Sequence, residues 1–497
     1  MESRAPSKER KCPAGHSTSD IGYRNQKNSI HSFGYCDLCT KEHFIQEFLT
    51  WSSGNVEIDK VIQECQTNYG YNLQWIPYDN FQDIIHIADG GNGSVHSAIL
   101  KNGVKRYWDL NELDWDYSNV GDKVALKEIN DSKEDISRFI KEIQNTKIVS
   151  DSLYVTLCLG ISKHPSTQNF IIVMELDDNV LHKFLTTNFW KLNWEIKIFL
   201  LYNIAGGLNN LHKKNLVHCD LHAGNILIKR HSDYIDSSVA KITDLGSCSL
   251  EKDLILKSDN ESEYIFGSLP HIPPEVLRGN AYSKKGDIYS FGGIMYEMAT
   301  GKQPFNDRAH DTHLIIDICN GVRPKIPDHI LDVIPKFYLD LMHLCWSSDP
   351  SKRPTAQELY DVLWNLYEII LNKKVEDDLF QQFKIADENQ EKVNKSQKQG
   401  SSYSRYISRD IYTLHGLNDS LEDIKSGKSQ DPNLLKSNEP ATSSAVTYNI
   451  DSKELQEYID WEEEIKNHGK KRSFSTLDFD SQESKEDNIK LRKTEKE

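Results

Sequence analysis

The chain has 497 residues, of which 38% are hydrophobic, and its formal net charge is −16. That length allows two or three domains with a sizeable core, and the acidic balance argues against a general nucleic-acid-binding protein, which needs a basic surface. The chain contains nine cysteines, an odd number, and is too long to need disulfides. No apolar stretch resembles a secretory signal, and none is long enough to span a bilayer. We therefore expect an intracellular, cytoplasmic protein without a membrane span.

Residues 1–75 form a small polar segment that contains a candidate metal site. Cys12 and His16 are separated by three residues, and Cys36 and Cys39 by two. This spacing suits a tetrahedral zinc site with three thiolates and one imidazole. The alternative is a set of unpaired thiols that binds no metal.

From residue 81 to 371 the pattern becomes globular. Apolar, β-branched runs predict strands at 81–87, 94–100, 123–129, 153–161 and 170–176. A helical stretch interrupts them at 133–150, and long amphipathic segments follow, for example at 193–213 and 287–300. A strand-rich block before a helix-rich block predicts two lobes of different architecture. An insert at 101–121 separates the second and third strands, and its sequence indicates no role.

A glycine cluster lies between the first two strands. Gly90, Gly91 and Gly93 would let backbone amides approach an anion, although such a cluster is more often only a turn. Lys127 then lies among apolar residues of the third strand. It is either an edge lysine in water or a cleft lysine that binds phosphate, and a buried ammonium needs a counter-charge such as Glu142.

The stretch HCDLHAGN, residues 218–225, places two imidazoles, a carboxylate, a thiol and an amide directly before a strand-like run. One interpretation is a transition-metal site. The other is a catalytic loop that holds an acid–base carboxylate and a cation ligand at fixed spacing. Asp and Asn oxygens at this spacing suit magnesium better than a softer metal.

Five motifs in order resemble the signature set of the eukaryotic protein kinases: the glycine loop, VALK with a helical glutamate, HCDLHAGN, Thr243-Asp244-Leu245-Gly246, and Pro273-Pro274-Glu275. The resemblance covers about residues 81–371 and is closest to the tyrosine-kinase-like group. It implies an α+β, bilobal fold with a small antiparallel β-sheet lobe and a larger, mainly helical lobe. It also implies ATP-dependent transfer of the γ-phosphoryl group to Ser or Thr hydroxyls of protein substrates, in signal transduction.

The resemblance assigns roles to individual residues. Asp220 would accept the proton of the substrate hydroxyl, Asn225 and Asp244 would bind Mg²⁺, and Lys127, paired with Glu142, would bind ATP phosphates. The other residues expected to contact ATP are Asp89, Gly90, Gly91, Asn92, Gly93, Ser94, Val95, Ala125, Met174, Glu175 and Asp177. The residues expected to support the site are Glu142, His218, Glu275, Asp287 and Arg353, with Glu275 and Arg353 forming a buried ion pair.

Three residues depart from the family pattern. Ala88 replaces the first glycine of the loop, Cys219 replaces an arginine that pairs with an activating phosphate, and His222 stands where Ser/Thr kinases carry a lysine. These changes keep an alternative open, namely a pseudokinase or ATP-binding scaffold with little activity. Against it, all five groups needed for phosphoryl transfer are present.

Residues 375–497 are rich in Lys, Glu, Asp, Ser, Asn and Gln. Such a segment buries too little apolar surface to offset its ordering entropy, so we predict a mostly disordered tail with one helix at 452–467. The sequence predicts no nucleic-acid partner and does not indicate an oligomeric state.

Overall fold

The structure is a computed structural model, which describes residues 9–31, 34–69, 73–90, 93–230, 235–257, 264–373, 377–396 and 408–413. Two expected ATP contacts, Gly91 and Asn92, and the predicted helix at 452–467 lie outside these ranges.

The N-terminal segment is folded and lies against the small lobe. Its helices are α1 (Asp37–Glu47) and α2 (Val56–Glu64), followed by the short strand β1 (Gln74–Trp75). Helix α2 begins at Asn55, whose side chain accepts hydrogen bonds from the amides of Glu57 and Ile58. The buried side chains of α2 pack with the helix Ser137–Ile148 and with the sheet of the small lobe, so this segment extends the core of the small lobe.

The small lobe contains a six-stranded sheet in the order β1-β7-β8-β6-β3-β2. Its elements are β2 (Phe81–Gly90), β3 (Gly93–Leu100), β4 (Val104–Asp109), β5 (Asp114–Ser118), β6 (Lys123–Ile129), α3 (Ser137–Ile148), β7 (Cys158–Lys163) and β8 (Phe170–Glu175). Neighbouring strands are antiparallel except for β1, which runs parallel to β7. The insert at 101–121 forms a separate hairpin of β4 and β5.

The large lobe is mainly helical. Its first half contains β9 (Asn179–Val180), α4 (Leu181–Asn188), α5 (Trp194–Lys213), β10 (Leu216–Val217), β11 (Ile226–Arg230), β12 (Ser238–Ile242), β13 (Ser249–Leu250), α6 (Glu251–Lys257) and β14 (Tyr264–Gly267). Its second half contains α7 (Pro274–Leu277), α8 (Lys284–Thr300), α9 (Thr312–Cys319), α10 (Lys336–Cys345) and α11 (Ala356–Leu371). Helices α5 and α8 are buried along nearly their whole length. The expected α+β, two-lobe architecture is confirmed.

Two elements lie within the segment predicted to be a mostly disordered tail, namely α12 (Asp378–Ser396) and β15 (Arg409–Tyr412). Helix α12 buries Phe383, Ala386 and Gln390, and the Nζ of Lys197 in α5 donates to Gln390 Oε1 at 2.7 Å. Strand β15 pairs antiparallel with β14. The large lobe is therefore extended by residues from beyond 375.

Candidate active site

A buried lysine lies at the centre of the site. The Nζ atom of Lys127, on β6, is 2.7 Å from Glu142 Oε1 of α3 and 2.8 Å from Asp244 Oδ1. Burial alone would lower the pKa of Lys127, but the two carboxylates outweigh it and raise the pKa above its usual value. Burial raises the pKa of Asp244 less than Lys127 lowers it, so Asp244 remains ionised. Burial raises the pKa of Glu142, although Lys127 opposes the shift. The triad of Lys127, Glu142 and Asp244 thus joins the two lobes.

The sheet next to Lys127 presents an apolar strip. Val95 of β3 is directly opposite Lys127, and Ala125, two residues earlier on β6, is directly opposite Met174 of β8. Directly opposed residues share a face of the sheet, as do residues two apart on a strand. The side chains of Val95, Ala125 and Met174 therefore lie on the same face of the sheet as the ammonium group of Lys127. A nucleotide requires this arrangement, with an apolar surface for its base next to a cation for its phosphates.

The chain passes from β8 into the large lobe at Glu175 and Asp177. The Glu175 carboxylate is 2.7 Å from the Nζ of Lys241 and 3.3 Å from that of Lys229, so its side chain points toward the strands of the large lobe. Asp177 is buried, and burial raises the pKa of its carboxyl group. The Glu175 carboxylate is therefore held by two lysines, and contact between this connection and a base stays a prediction.

Strands β2 and β3 stay paired up to the residues on either side of the glycine turn. Asp89 pairs with Ser94, and Gly90 with Gly93, on either side of the turn. A Cβ atom on Gly93 would lie 1.9 Å from the carbonyl oxygen of Glu128 on β6. Glycine is therefore required at 93 by strand packing, in addition to any contact with an anion.

Asp287 of α8 holds the catalytic loop in place. Its Oδ2 accepts from the amide of His218 at 2.8 Å and its Oδ1 from the amide of Cys219 at 3.1 Å. The imidazole of His212, at the end of α5, is 2.8 Å from the same Oδ2. His212 was not among the predicted residues, because nothing near it in the sequence signals a partner 75 residues away.

The loop brings Asp220 and Asn225 together. Asn225 donates its Nδ2 to the carbonyl oxygen of Asp220 at 2.9 Å, which leaves its Oδ1 free to face a cation. His218 accepts from the amide of Asp220 through Nδ1, so its Nε2 carries the proton and donates to the carbonyl oxygen of Thr243 at 3.3 Å. Together with the Asp244 carboxylate, these hard oxygen ligands fit Mg²⁺.

The two departures within the loop have definite environments. Cys219 is buried in a left-handed conformation with φ 68°, and burial raises the pKa of its thiol well above the usual value. It is therefore an inert thiol. The Nδ1 atom of His222 accepts from the amide of Gly224 at 3.0 Å, and burial lowers the pKa of the ring. His222 is thus neutral, with its proton on Nε2, which is 3.6 Å from Asp220 Oδ1.

Glu275 and Arg353 form a two-pronged pair in the large lobe. The guanidinium nitrogens of Arg353 are 2.6 and 2.7 Å from the two carboxylate oxygens of Glu275. The pair joins the residues that follow β14 to the loop before α11.

The four candidate zinc ligands converge in the N-terminal segment. Cys12, Cys36 and Cys39 are buried, and the ligand atoms of these thiols and of His16 all lie within 4.8 Å of one another. The Nδ1 of His16 is 3.3 Å from the sulfur of Cys39, and its Nε2 is 3.1 Å from the carboxylate of Glu42.

Comparison with known proteins identifies the class to which this fold and site belong. A family model described as protein tyrosine and serine/threonine kinase matches residues 82–363, more than half of the chain. The chain belongs to this family. Along the part of the chain that the structure describes, no helix combines the length and apolarity needed to cross a membrane.

Several relatives share this domain at modest identity. The chain is 27% identical over 319 residues to "Probable serine/threonine-protein kinase roco5" of Dictyostelium discoideum, covering 62% of this chain and 10% of the relative. It is 31% identical over 265 residues to "Putative serine/threonine-protein kinase/receptor R818" of Acanthamoeba polyphaga mimivirus, covering 52% and 14%. It is 25% identical over 346 residues to "Protein kinase and PP2C-like domain-containing protein" of Arabidopsis thaliana, covering 64% and 48%. The chain therefore matches between a tenth and a half of the length of these relatives.

Proposed function

We propose that this chain is an active kinase that transfers the γ-phosphoryl group of ATP to Ser or Thr hydroxyls of protein substrates. The observation that carries the proposal is the ion triad of Lys127, Glu142 and Asp244, beside the loop that bears Asp220 and Asn225; Lys127 and Glu142 are buried. A scaffold that only binds partners has no chemical need for this set. The relatives named as Ser/Thr kinases support the hydroxyl class, and none of the names quoted above supports a pseudokinase.

The mechanism rests on positioning and charge. Mg²⁺, when bound, neutralises phosphate charge, and the oxygens of Asp244 and Asn225 are the groups that would hold it. Lys127 is kept charged by two carboxylates and can therefore bind phosphate oxygens without losing its proton. Asp220, held by the backbone of its own loop, accepts the proton of the attacking hydroxyl.

The experiment compares full-length wild type with Asp220→Asn, using radiolabelled ATP, Mg²⁺ and a generic basic protein as the substrate. We expect Asp220→Asn to lower labelling by at least about a hundredfold, because the proton acceptor is lost. Matching thermal unfolding of the two proteins would show that the fold is intact. Equal labelling by both proteins would refute the proposal and favour the scaffold.

We also propose that Cys12, His16, Cys36 and Cys39 bind structural Zn²⁺. A tetrahedral site with Zn–S bonds of about 2.3 Å and Zn–N bonds of about 2.0–2.1 Å has donor–donor edges of about 3.5–3.8 Å. Four of the six separations between donor atoms are 3.3 to 3.7 Å and all six are within 4.8 Å, which supports this geometry. Glu42 would orient the His16 ring, as outer-shell carboxylates do for zinc-bound histidines.

Metal analysis of the full chain tests the zinc proposal. We expect one equivalent of zinc in wild type and none in Cys39→Ser, while Cys345→Ser, which changes a buried thiol in the large lobe, keeps its zinc. Zinc content that is the same in wild type and Cys39→Ser would contradict the proposal.

The proposed location is intracellular. The activity needs ATP, and the nine cysteines, all of which lie in the described residues, are buried and form no disulfide, a state that a reducing compartment preserves.

A further inference from the structure

A segment from far along the chain lies on the substrate side of the large lobe. Strand β15 pairs antiparallel with β14, so that Arg409 is opposite Gly267 and Ile411 is opposite Ile265. Strand β14 belongs to the stretch between Asp244 and Glu275, directly before Ser268. Backbone pairing with a strand edge is a common way to bind an extended peptide.

Side chains of the segment 408–413 hold this strand against the large lobe. Ile411 is 6% exposed and is part of the apolar cluster of the large lobe, and Thr413 is fully buried. Arg409 donates its Nη2 to the carbonyl oxygen of His310 at 2.8 Å. The segment 408–413 is therefore held by an aliphatic anchor three residues after Ser408 and a guanidinium one residue after it.

This register delivers Ser408 to the catalytic loop. Its Oγ donates to Asp220 Oδ1 at 3.1 Å and lies 3.1 Å from Nε2 of His222. Because His222 accepts the Gly224 amide through Nδ1, its neutral ring has the proton on Nε2 and donates to Ser408 Oγ. The hydroxyl proton is thereby directed at Asp220, as a phosphoryl acceptor requires.

We propose that Ser408 is a phosphoacceptor of this chain's own site, and that segment 408–413 occupies the substrate groove until the transfer takes place. This inference rests on the proposed kinase activity. Ser408 Oγ forms a bond to the γ-phosphorus of Mg-ATP, the bond from that phosphorus to the β–γ bridging oxygen breaks, ADP leaves, and the hydroxyl proton passes to Asp220. The product places a phosphate dianion beside acidic groups, and this repulsion favours release of the strand.

The short stretch of sequence between α12 and Ser408 favours transfer within one molecule. Helix α12 is anchored by Phe383, by the Lys197–Gln390 hydrogen bond and by Asp387, which accepts from the amide of Trp194 at 2.9 Å. Ser408 follows Ser396 by twelve residues, a length of chain that reaches at most about 40 Å. A docked helix with a short tether raises the local concentration of the acceptor without any added affinity.

The first test is phosphate mapping on the dephosphorylated full chain after incubation with Mg-ATP. We expect phosphate on Ser408 with a rate constant that does not change on hundredfold dilution, because transfer occurs in cis. Ser408→Thr keeps labelling at 408, whereas Ser408→Ala and Asp220→Asn abolish it. A rate constant that falls in proportion to dilution would overturn transfer in cis, and absence of phosphate at Ser408 would overturn the acceptor assignment.

The second test measures groove occupancy by competition. All variants of this test carry Ser408→Ala, because phosphorylation of Ser408 would release the strand during the assay. Ile411→Asp removes the buried anchor, so we expect the KM for an added basic protein substrate to fall about tenfold or more with kcat unchanged. Ile385→Asp changes an isoleucine of α12 that is 53% exposed and serves as the matched control, with no change in KM. Equal KM values for both variants would overturn the occupancy.

The outcomes also separate this inference from the proposed function. Labelling of the added substrate without labelling of Ser408 overturns the inference and leaves the kinase activity standing. Labelling of neither overturns both.

Discussion

Arg353 is only 1% exposed, yet it carries a full positive charge. Its guanidinium is satisfied by both carboxylate oxygens of Glu275 and by the carbonyl oxygens of Ser347 and Lys285, at 2.8 and 2.9 Å. The bonds to Glu275 and Lys285 join segments that are 78 and 68 residues apart in the sequence. Removing one partner leaves a buried charge without a counter-charge. The resulting loss of stability is larger than the stabilisation that the intact ion pair provides relative to apolar residues at the same positions.

We therefore predict that Glu275→Gln lowers the free energy of unfolding by about 3–5 kcal/mol, measured by urea denaturation. The control is Arg308→Ala, which breaks the pair of Arg308 with Asp317 at 2.6 Å, whose side chains are 32% and 38% exposed. Exposed pairs contribute little, so the control should cost about 1 kcal/mol or less. Similar losses in the two variants would contradict the assigned difference in burial.

At the scale of elements, the β4–β5 hairpin connects the N-terminal segment to the small lobe. Trp115 donates its Nε1 to Glu47 Oε1 at 2.7 Å, and Lys105 forms an ion pair with the same carboxylate. Trp108 stacks on His43 of α1, with ring centroids 3.5 Å apart. The hairpin thus presents an aromatic face to the helix that carries Cys39.

We predict that Trp115→Ala frees α1 from the hairpin without unfolding the large lobe. Truncating a buried aromatic side chain costs about 3–5 kcal/mol of stability. Here the lost stabilisation is that of the contact between α1 and the β4–β5 hairpin. Hydrogen exchange should rise across Asp37–Glu47 and remain unchanged in α8. Tyr117→Ala is the control, because Tyr117 is on the same strand and 44% exposed, and it should leave exchange in α1 unchanged. Unchanged exchange in α1 of Trp115→Ala would show that the docking does not depend on Trp115.

Sequence patterns predicted the elements that have strong local signals and missed those selected by tertiary contacts. The motif order indicated that Lys127, Asp220 and Asp244 share one cleft, and the structure brings Lys127 and Asp244 into contact. Helix α12 was missed because its overall polarity hides an apolar stripe, which alone would have indicated a docked helix. The stripe comprises Leu379, Phe383, Ala386 and Val393.

The partner of the hairpin and the place of Ser408 could not be read from the sequence. Trp115 and Glu47 are 68 residues apart, and Ser408 and Asp220 are 188 apart. No local pattern encodes such pairings, because they depend on how whole elements pack. The predicted zinc ligands were easier to find, since spacing within a short segment limits which side chains can meet.

At the scale of the whole molecule, two buried histidines and one partly buried histidine make stability depend on pH. His222, His271 and His310 lie between the catalytic loop and the loops before α7 and α9, and burial lowers the pKa of each ring below its usual 6.5. The folded protein therefore keeps these rings neutral at a pH where the unfolded chain binds protons. The contribution of these neutral rings to the free energy of unfolding is fully present above pH 6.5 and is lost as the pH falls below that value.

We predict that lowering the pH from 7.5 to 5.5 reduces the free energy of unfolding by about 1.4 kcal/mol for each histidine that stays neutral, or about 2–4 kcal/mol in all. Burial also raises the pKa of Asp387 to about 6 and lowers that of Lys197 to about 7. These two groups act with opposite signs in this interval and largely offset each other. Urea denaturation at the two pH values measures the change.

The variant His271→Gln isolates one contribution, because glutamine fills part of the same space and does not titrate. Its own stability at pH 7.5 is set by packing against α8, where the ring of His271 lies close to Gly293. The informative quantity is therefore the difference between the two pH values, which should shrink by about 1.4 kcal/mol relative to wild type. Parallel pH profiles for the two proteins would mean that His271 binds its proton as readily in the folded chain as in the unfolded one, and that the acid sensitivity arises elsewhere.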